Sequence, residues 1–309
     1  MRPDPADEAM VARARERFRG AGRRRPRGGA LPNLVVIGGL KCGTTSLHHY
    51  LNLHPEIGMS RPKELNFFVE ELNWPLGRDW YASHFDPGEP VRGESSPHYT
   101  NRPRFDGVAE RLAGTAPGAR LIYMVRDPID RMLSHYLHNV GGGYDDRPLA
   151  EALAGPDTAY VDRGRYFFQL EPYLECFEKE RIELVTREEL KADRAGTLCR
   201  VFGFLGVDEG FTSEQFDREW ETGTAKSSGR FRAMDRAVRL PGLRAIDRHF
   251  DRLPERMRWA VERVVHDPDA GAAPKPHLPA DLRATLVERY RPDVEQLEEW
   301  SGRSFGWLG

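Results

Sequence analysis

The run Gly38-Gly39-Leu40-Lys41-Cys42-Gly43-Thr44-Thr45-Ser46 carries the residues best suited to chemistry. Gly38 and Gly43 fall at the two glycines of the nucleotide phosphate loop G-x-x-x-x-G-K-[ST], and Thr45 falls at its hydroxyl position. Glycines let the backbone bend close to a phosphate, and successive N–H groups at a helix start form an anion nest. The lysine is displaced. A nucleotide triphosphatase needs it directly after the second glycine, where Thr44 stands; Lys41 lies inside the loop and meets the bound group from another direction. A second apolar run, Leu121–Val125, is followed by Arg126. An ATPase or GTPase commonly ends such a strand on an acidic residue that helps hold Mg²⁺. Arginine favours a phosphate and disfavours a metal ion. The site therefore reads as a metal-independent anion cradle.

The elements around these residues follow from their patterns. Leu34-Val35-Val36-Ile37 is a continuous β-branched run that ends at Gly38-Gly39, and a helical pattern starts near Thr45 and ends before Pro55. Leu121–Val125 leads into Asp127-Pro128, a good helix entry. Ile182–Val185 and the shorter Val91–Glu94 complete the strand candidates. Strands alternating with helices predict a three-layer α/β/α fold with a central parallel sheet and helical C-terminal additions. From Leu282 to Trp300 apolar residues recur at helical spacing, and Pro292 predicts a kink or break there.

The 309 residues are 39% hydrophobic, enough for one large domain, or a core with a small appendage. A formal net charge of -2 argues against nucleic acid as the main partner. The charge is uneven: residues 1–29 hold 9 Arg against Asp4, Asp7, Glu8 and Glu16, and read as a flexible, Arg-rich tail ahead of a single domain over 30–309. Three scattered cysteines, Cys42, Cys176 and Cys199, offer neither metal-ligand spacing nor a disulfide framework. No run of about 18 apolar residues predicts a membrane span. Leu31–Leu40, after the arginines at 23–25, is short and holds Pro32, so it reads as mature chain rather than a signal peptide. A cytoplasmic location is expected, and high Arg, Ala and Gly content points to a bacterial source of high GC content.

The ordered set resembles a known family. Ile37–Leu47, then His54-Pro55, then Lys63-Glu64 with Phe67-Phe68, are similar to the first third of sulfotransferases that use 3′-phosphoadenosine 5′-phosphosulfate (PAPS). The similarity is strongest to the heparan-sulfate-type and bacterial branch. Gly93–Tyr99 resembles that branch's Glu-containing acceptor motif, and Arg126-Asp127-Pro128 with Arg131 and Ser134-His135-Tyr136 resembles its 3′-phosphate motif. Gly164-Arg165-Tyr166 and the C-terminal Leu282–Trp307 follow the same pattern, so the resemblance covers roughly 32–308.

The resemblance implies that Gly39, Lys41, Cys42, Gly43, Thr44, Thr45 and Ser46 hold the 5′-phosphosulfate end, and Arg126 and Ser134 the 3′-phosphate. On one straight helix those last two would stand about 12 Å apart, so Arg126 must sit at the strand end before the helix begins. Lys226-Ser227-Ser228-Gly229-Arg230 resembles the late loop that closes over the nucleotide. Ser228 stands where the family lysine is usual, so Lys226, Gly229 and Arg230 are the candidates there. For chemistry, Lys41 would stabilise charge on the leaving phosphate, and Glu94, read as lying at a cleft edge after its strand, would be the general base. His98 is the rival base. Lys63 is a candidate contact to sulfate or acceptor, or one half of a surface pair with Glu64. Trp74, Trp80, Tyr81 and Phe85 are candidates for the acceptor pocket wall, or core. Acceptor classes left open are small-molecule and carbohydrate hydroxyls, or an amine. The other readings are a kinase-like phosphotransferase and a non-catalytic nucleotide-binding protein.

Overall fold

The computed structural model describes residues 28–153, 158–217 and 276–309, with Glu8, Val11, Ala12, Arg15, Glu16 and Phe18 near the N-terminus. Five strands form one parallel sheet in the order β2-β3-β1-β4-β5. They are β1 Leu34–Gly38, β2 Ile57–Met59, β3 Val91–Ser95, β4 Arg120–Val125 and β5 Ile182–Thr186. β1 and β4 are apolar along nearly their whole length because they lie inside a sheet covered on both faces; their side chains from Leu34 to Ile37 and from Leu121 to Val125 are all fully buried. β2 was not legible in the sequence. It is a three-residue edge strand, too short for a period to show.

The helices that matter for the site are α1 Thr44–Leu51, α2 Arg78–Ala82, α3 Val108–Thr115, α4 Pro128–Gly142, α5 Leu149–Leu153, α6 Ala159–Asp162, α7 Tyr166–Cys176, α8 Arg187–Ala192, α9 Arg194–Leu205 and α10 Ala280–Ser301. The chain leaves β1 toward β2, returns through β3, then crosses to β4 on the other side of β1. That reversal makes a crevice at the carboxyl ends of β1, β3 and β4, where open α/β sheets hold their ligands.

Three local features shape this frame. Asp127 caps α4 by accepting the Asp130 N–H, with Pro128 in the first turn. Thr186 and Glu189 form a reciprocal capping box on α8. The third corrects half of an expectation: α10 continues through Pro292 without a break. Leu286, Tyr290, Val294 and Leu297 are buried on both sides of the proline, and Asp293 accepts the N–H groups of Phe167 and Phe168 at the start of α7. Packing on both flanks outweighs the one backbone bond that proline removes. Within the N-terminal segment, Val11 is buried, Phe18 meets Trp80 edge-on at 5.3 Å, and Arg15 donates to the Glu71 carbonyl. No helix among the described residues is long and apolar enough to cross a membrane.

Candidate active site

β1 delivers the loop to the sheet edge. A side chain at Gly38 would put its Cβ 1.9 Å from the Thr100 hydroxyl, so the strand end tolerates only glycine there. The Gly39 N–H donates to the Met124 carbonyl at 2.5 Å, which ties the loop to β4. Gly43, at φ 94°, turns the chain into α1. No side chain caps that helix start, so the N–H groups of Thr44, Thr45 and Ser46 face the loop as an anion nest. The Ser46 hydroxyl is buried with no hydrogen-bond partner. Cys42 is fully buried, its Sγ 3.5 Å from the Tyr166 hydroxyl, and burial pushes the thiol up from its ordinary pKa. Cys42 therefore contributes backbone and packing rather than a reactive thiolate.

Arg126 sits where the expectation put it, directly after β4 and before α4. It is buried; its guanidinium donates to the Lys41 carbonyl at 3.4 Å and to Asp130 at 3.2 Å, while its Nε has no partner. Ser134 lies half-buried two turns into α4. Behind these two is a deeper layer: Arg131 and His135, named within the 3′-phosphate motif but given no role of their own, and Arg163, which the sequence reading did not single out. Arg131 is fully buried, donates to the Tyr160 carbonyl, and leaves Nε and Nη1 without partners. Arg163 is equally buried and donates to the Asn101 amide oxygen at 2.7 Å. His135 is held neutral well below its ordinary pKa, first by burial and then by the charges of Arg163, Arg131, His138 and Lys41. The signal available was Arg131 and His135 at i and i+4, which share a helix face.

The carboxylate side is built on β3. Glu94 is fully buried rather than at a cleft edge, and β3 continues past it to Ser95. Strand length explains the difference: pairing of Val36 with Ser95 carries β3 one residue past Glu94. Three hydroxyls donate to the carboxylate: Tyr81 at 2.7 Å, Tyr99 at 2.5 Å and Ser96 at 2.6 Å. Burial pushes the Glu94 carboxyl up from its ordinary pKa, and these donors, with the Lys63 charge, oppose the rise. Lys63 is ion-paired to Glu64 at 2.8 Å. His98 is buried against Phe105 at 5.9 Å between ring centroids. His48 faces inward and bonds the Ser95 hydroxyl at 3.0 Å, while His49 is only half-buried. Tyr81, Trp80 and Phe85 belong to the core, and Tyr81 reaches the site by its hydroxyl alone.

Among the described residues, the non-glycine positions with positive φ are Lys41, Glu64 and Asn66. Strained backbone of this kind clusters at functional sites. One is in the phosphate loop. The other two are in the loop before Phe67, which hangs on β3 through Glu64 N–H to the Ser95 carbonyl and Asn66 N–H to the Ser96 hydroxyl. Lys226, Gly229 and Arg230 lie outside the described residues.

A parallel sheet with a phosphate loop at β1, an arginine at the end of β4 and a caged carboxylate on β3 defines a phosphate-loop α/β transferase domain. Residues 31–234 match the sulfotransferase domain model, and the chain belongs to that family. The chemistry that names the family is sulfuryl transfer. A sulfotransferase of Alicyclobacillus acidocaldarius superposes with a TM-score of 0.63 and 25% identity, covering 90% of this chain and 99% of that one. Heparan sulfate glucosamine 3-O-sulfotransferase 6 of Homo sapiens is 27% identical over 93% of this chain and 75% of its own length. Membrane-associated sulfotransferase kil1 of Dictyostelium discoideum is 40% identical over 111 residues, 34% of this chain, and the chain spans 22% of that relative's length.

Proposed function

We propose that the protein transfers the sulfuryl group of PAPS to a hydroxyl, or an amine, of a carbohydrate or small-molecule acceptor, releasing adenosine 3′,5′-bisphosphate. The observation that carries this reading is Arg126. A buried guanidinium against the Lys41 carbonyl, with an orphaned Nε, suits a phosphate at the mouth of the loop. The partnerless Ser46 hydroxyl and the uncapped N–H groups of α1 suit the other end of the donor. In this reading Gly39, Lys41, Cys42, Gly43, Thr44, Thr45 and Ser46 bind the phosphosulfate, and Arg126 and Ser134 bind the 3′-phosphate. Lys226, Gly229 and Arg230 complete the nucleotide site.

Charge builds on the oxygen bridging sulfur and the leaving phosphate, and Lys41 is the cation held by the loop to meet it. Glu94 takes the acceptor's proton, with His98 the second candidate and Lys63 an auxiliary contact. The heparan sulfate named for one relative favours a carbohydrate hydroxyl over a phenol. The catalytic unit is one domain over 30–309. The test is calorimetric: adenosine 3′,5′-bisphosphate should bind in excess chelator, and ATP should not. Mass spectrometry of glycan and metabolite panels incubated with PAPS should then show the gain of one sulfate. Tight ATP binding with none for the bisphosphate would end the reading.

A further inference from the structure

The two oxygens of Glu94 are not equivalent. Oε1 accepts both phenols, Tyr81 and Tyr99, while Oε2 accepts the Ser96 hydroxyl. A carboxylate oxygen offers about two lone-pair sites, so Oε1 is filled and Oε2 keeps one. The direction of these bonds is enforced from behind. The Tyr99 oxygen accepts the Phe67 N–H at 2.9 Å, and the Ser96 oxygen accepts the Asn66 N–H at 3.0 Å, so each hydroxyl hydrogen is left to point at Glu94. Tyr81 is fixed by its ring, stacked on Phe67 at 4.2 Å and 9°.

We infer that Tyr81 and Tyr99 are positioning residues that pin Oε1, keep the buried carboxylate ionised, and reserve Oε2 as the atom that receives the acceptor's proton. This rests on Glu94 being the base. The acceptor hydroxyl gives its proton to Oε2 as its oxygen bonds to sulfur. The bond from sulfur to the bridging oxygen breaks, and its electron pair stays on the leaving phosphate. Both phenols remain donors throughout, because burial and the neighbouring carboxylate hold them well above the ordinary tyrosine range. The remaining groups facing this carboxylate do not replace them. Lys63 acts from the preceding loop and is paired to Glu64. His48 reaches only Ser95 and is kept neutral by burial and by Lys63. Tyr173, on α7, donates to the Tyr99 carbonyl.

The test reads the protonated-carboxyl stretch of Glu94 by infrared titration of the full chain without ligand, assigned by subtraction of Glu94→Gln. Tyr81→Phe and Tyr99→Phe should each raise the apparent pKa of Glu94 by about one unit. Uniform 3-fluorotyrosine, whose more acidic phenol is a stronger donor, should lower it in a chain whose circular dichroism matches the wild type. A folded phenylalanine pair that moves it by less than about 0.3 unit overturns the cage, as does an unchanged or raised value with fluorotyrosine. Sulfation by Glu94→Gln at the wild-type rate would instead remove Glu94 as base, and the role of Oε2 with it. An inactive Glu94→Gln with unmoved tyrosine variants sinks the cage alone.

Discussion

On the β1–β4 side of the site, cations gather: Arg163, Arg131 and Lys41 act on a neutral His135, and Arg131 and Arg126 on the buried Cys42. Arg131 is fully buried and donates to a peptide carbonyl, with two further donors unused. On the β3 side a single carboxylate is buried just as deeply, yet three hydroxyls satisfy it. Leaving a buried donor unsatisfied costs on the order of 1–3 kcal/mol, more for a charged group. The cationic side thus keeps buried donors that an anion from outside would satisfy, whereas the carboxylate side is completed by the protein itself. Under the proposed function, one half binds a charged donor and the other holds a base ready.

Three measurements probe that contrast. The largest effect is expected for turnover. Glu94→Gln should lower kcat by about 10²–10⁴, the range for a lost general base, and Lys41→Ala by about 10²–10³, with secondary structure unchanged in circular dichroism. Wild-type turnover in Lys41→Ala would reduce the lysine to a binding role. Next, Arg126→Ala should weaken adenosine 3′,5′-bisphosphate about 10- to 100-fold in calorimetry, the size of a charge-assisted bond, while Glu94→Gln should leave that affinity within about two-fold. Equal losses in both variants would erase the division into a donor half and a base half.

The smallest effect is on stability. Burial raises the folded pKa of Glu94 above its unfolded value, so the ionised carboxylate opposes folding at high pH, and this cost is relieved as pH falls through the raised folded pKa. Glu94→Gln carries no such cost, but it sets an amide donor against one of the hydroxyl donors around it, so the pH dependence is the reading: its Tm relative to the wild type should be highest at pH 8 and fall on acidification. A relative Tm that rose in acid would mean the hydroxyls more than offset burial. That would place the carboxyl below its ordinary range.

Much of the site was legible because it is local. The displaced lysine at Lys41, the glycines at 38 and 43, and Arg126 after an apolar strand follow from adjacent residues in one order, and the parallel α/β fold follows from strands alternating with helices. The continuity of α10 through Pro292 was not local, since Asp293 is held by the start of α7 more than a hundred residues earlier in the chain. The cage was equally hidden. Tyr81, read as core or pocket wall, reaches Glu94 from α2 with its ring stacked on Phe67.

By itself, then, the sequence determined an anion cradle: a lysine within a glycine loop and an arginine after a strand suit a phosphate-like group wherever the loop is carried. Only the tertiary structure decided the surroundings of Glu94. A glutamate's ionisation depends on burial and on the donors around it; Ser96 and Tyr99 follow it closely in the chain, but Tyr81 comes from α2 and the Lys63 charge from the loop before that helix, and neither spacing foretells the contact.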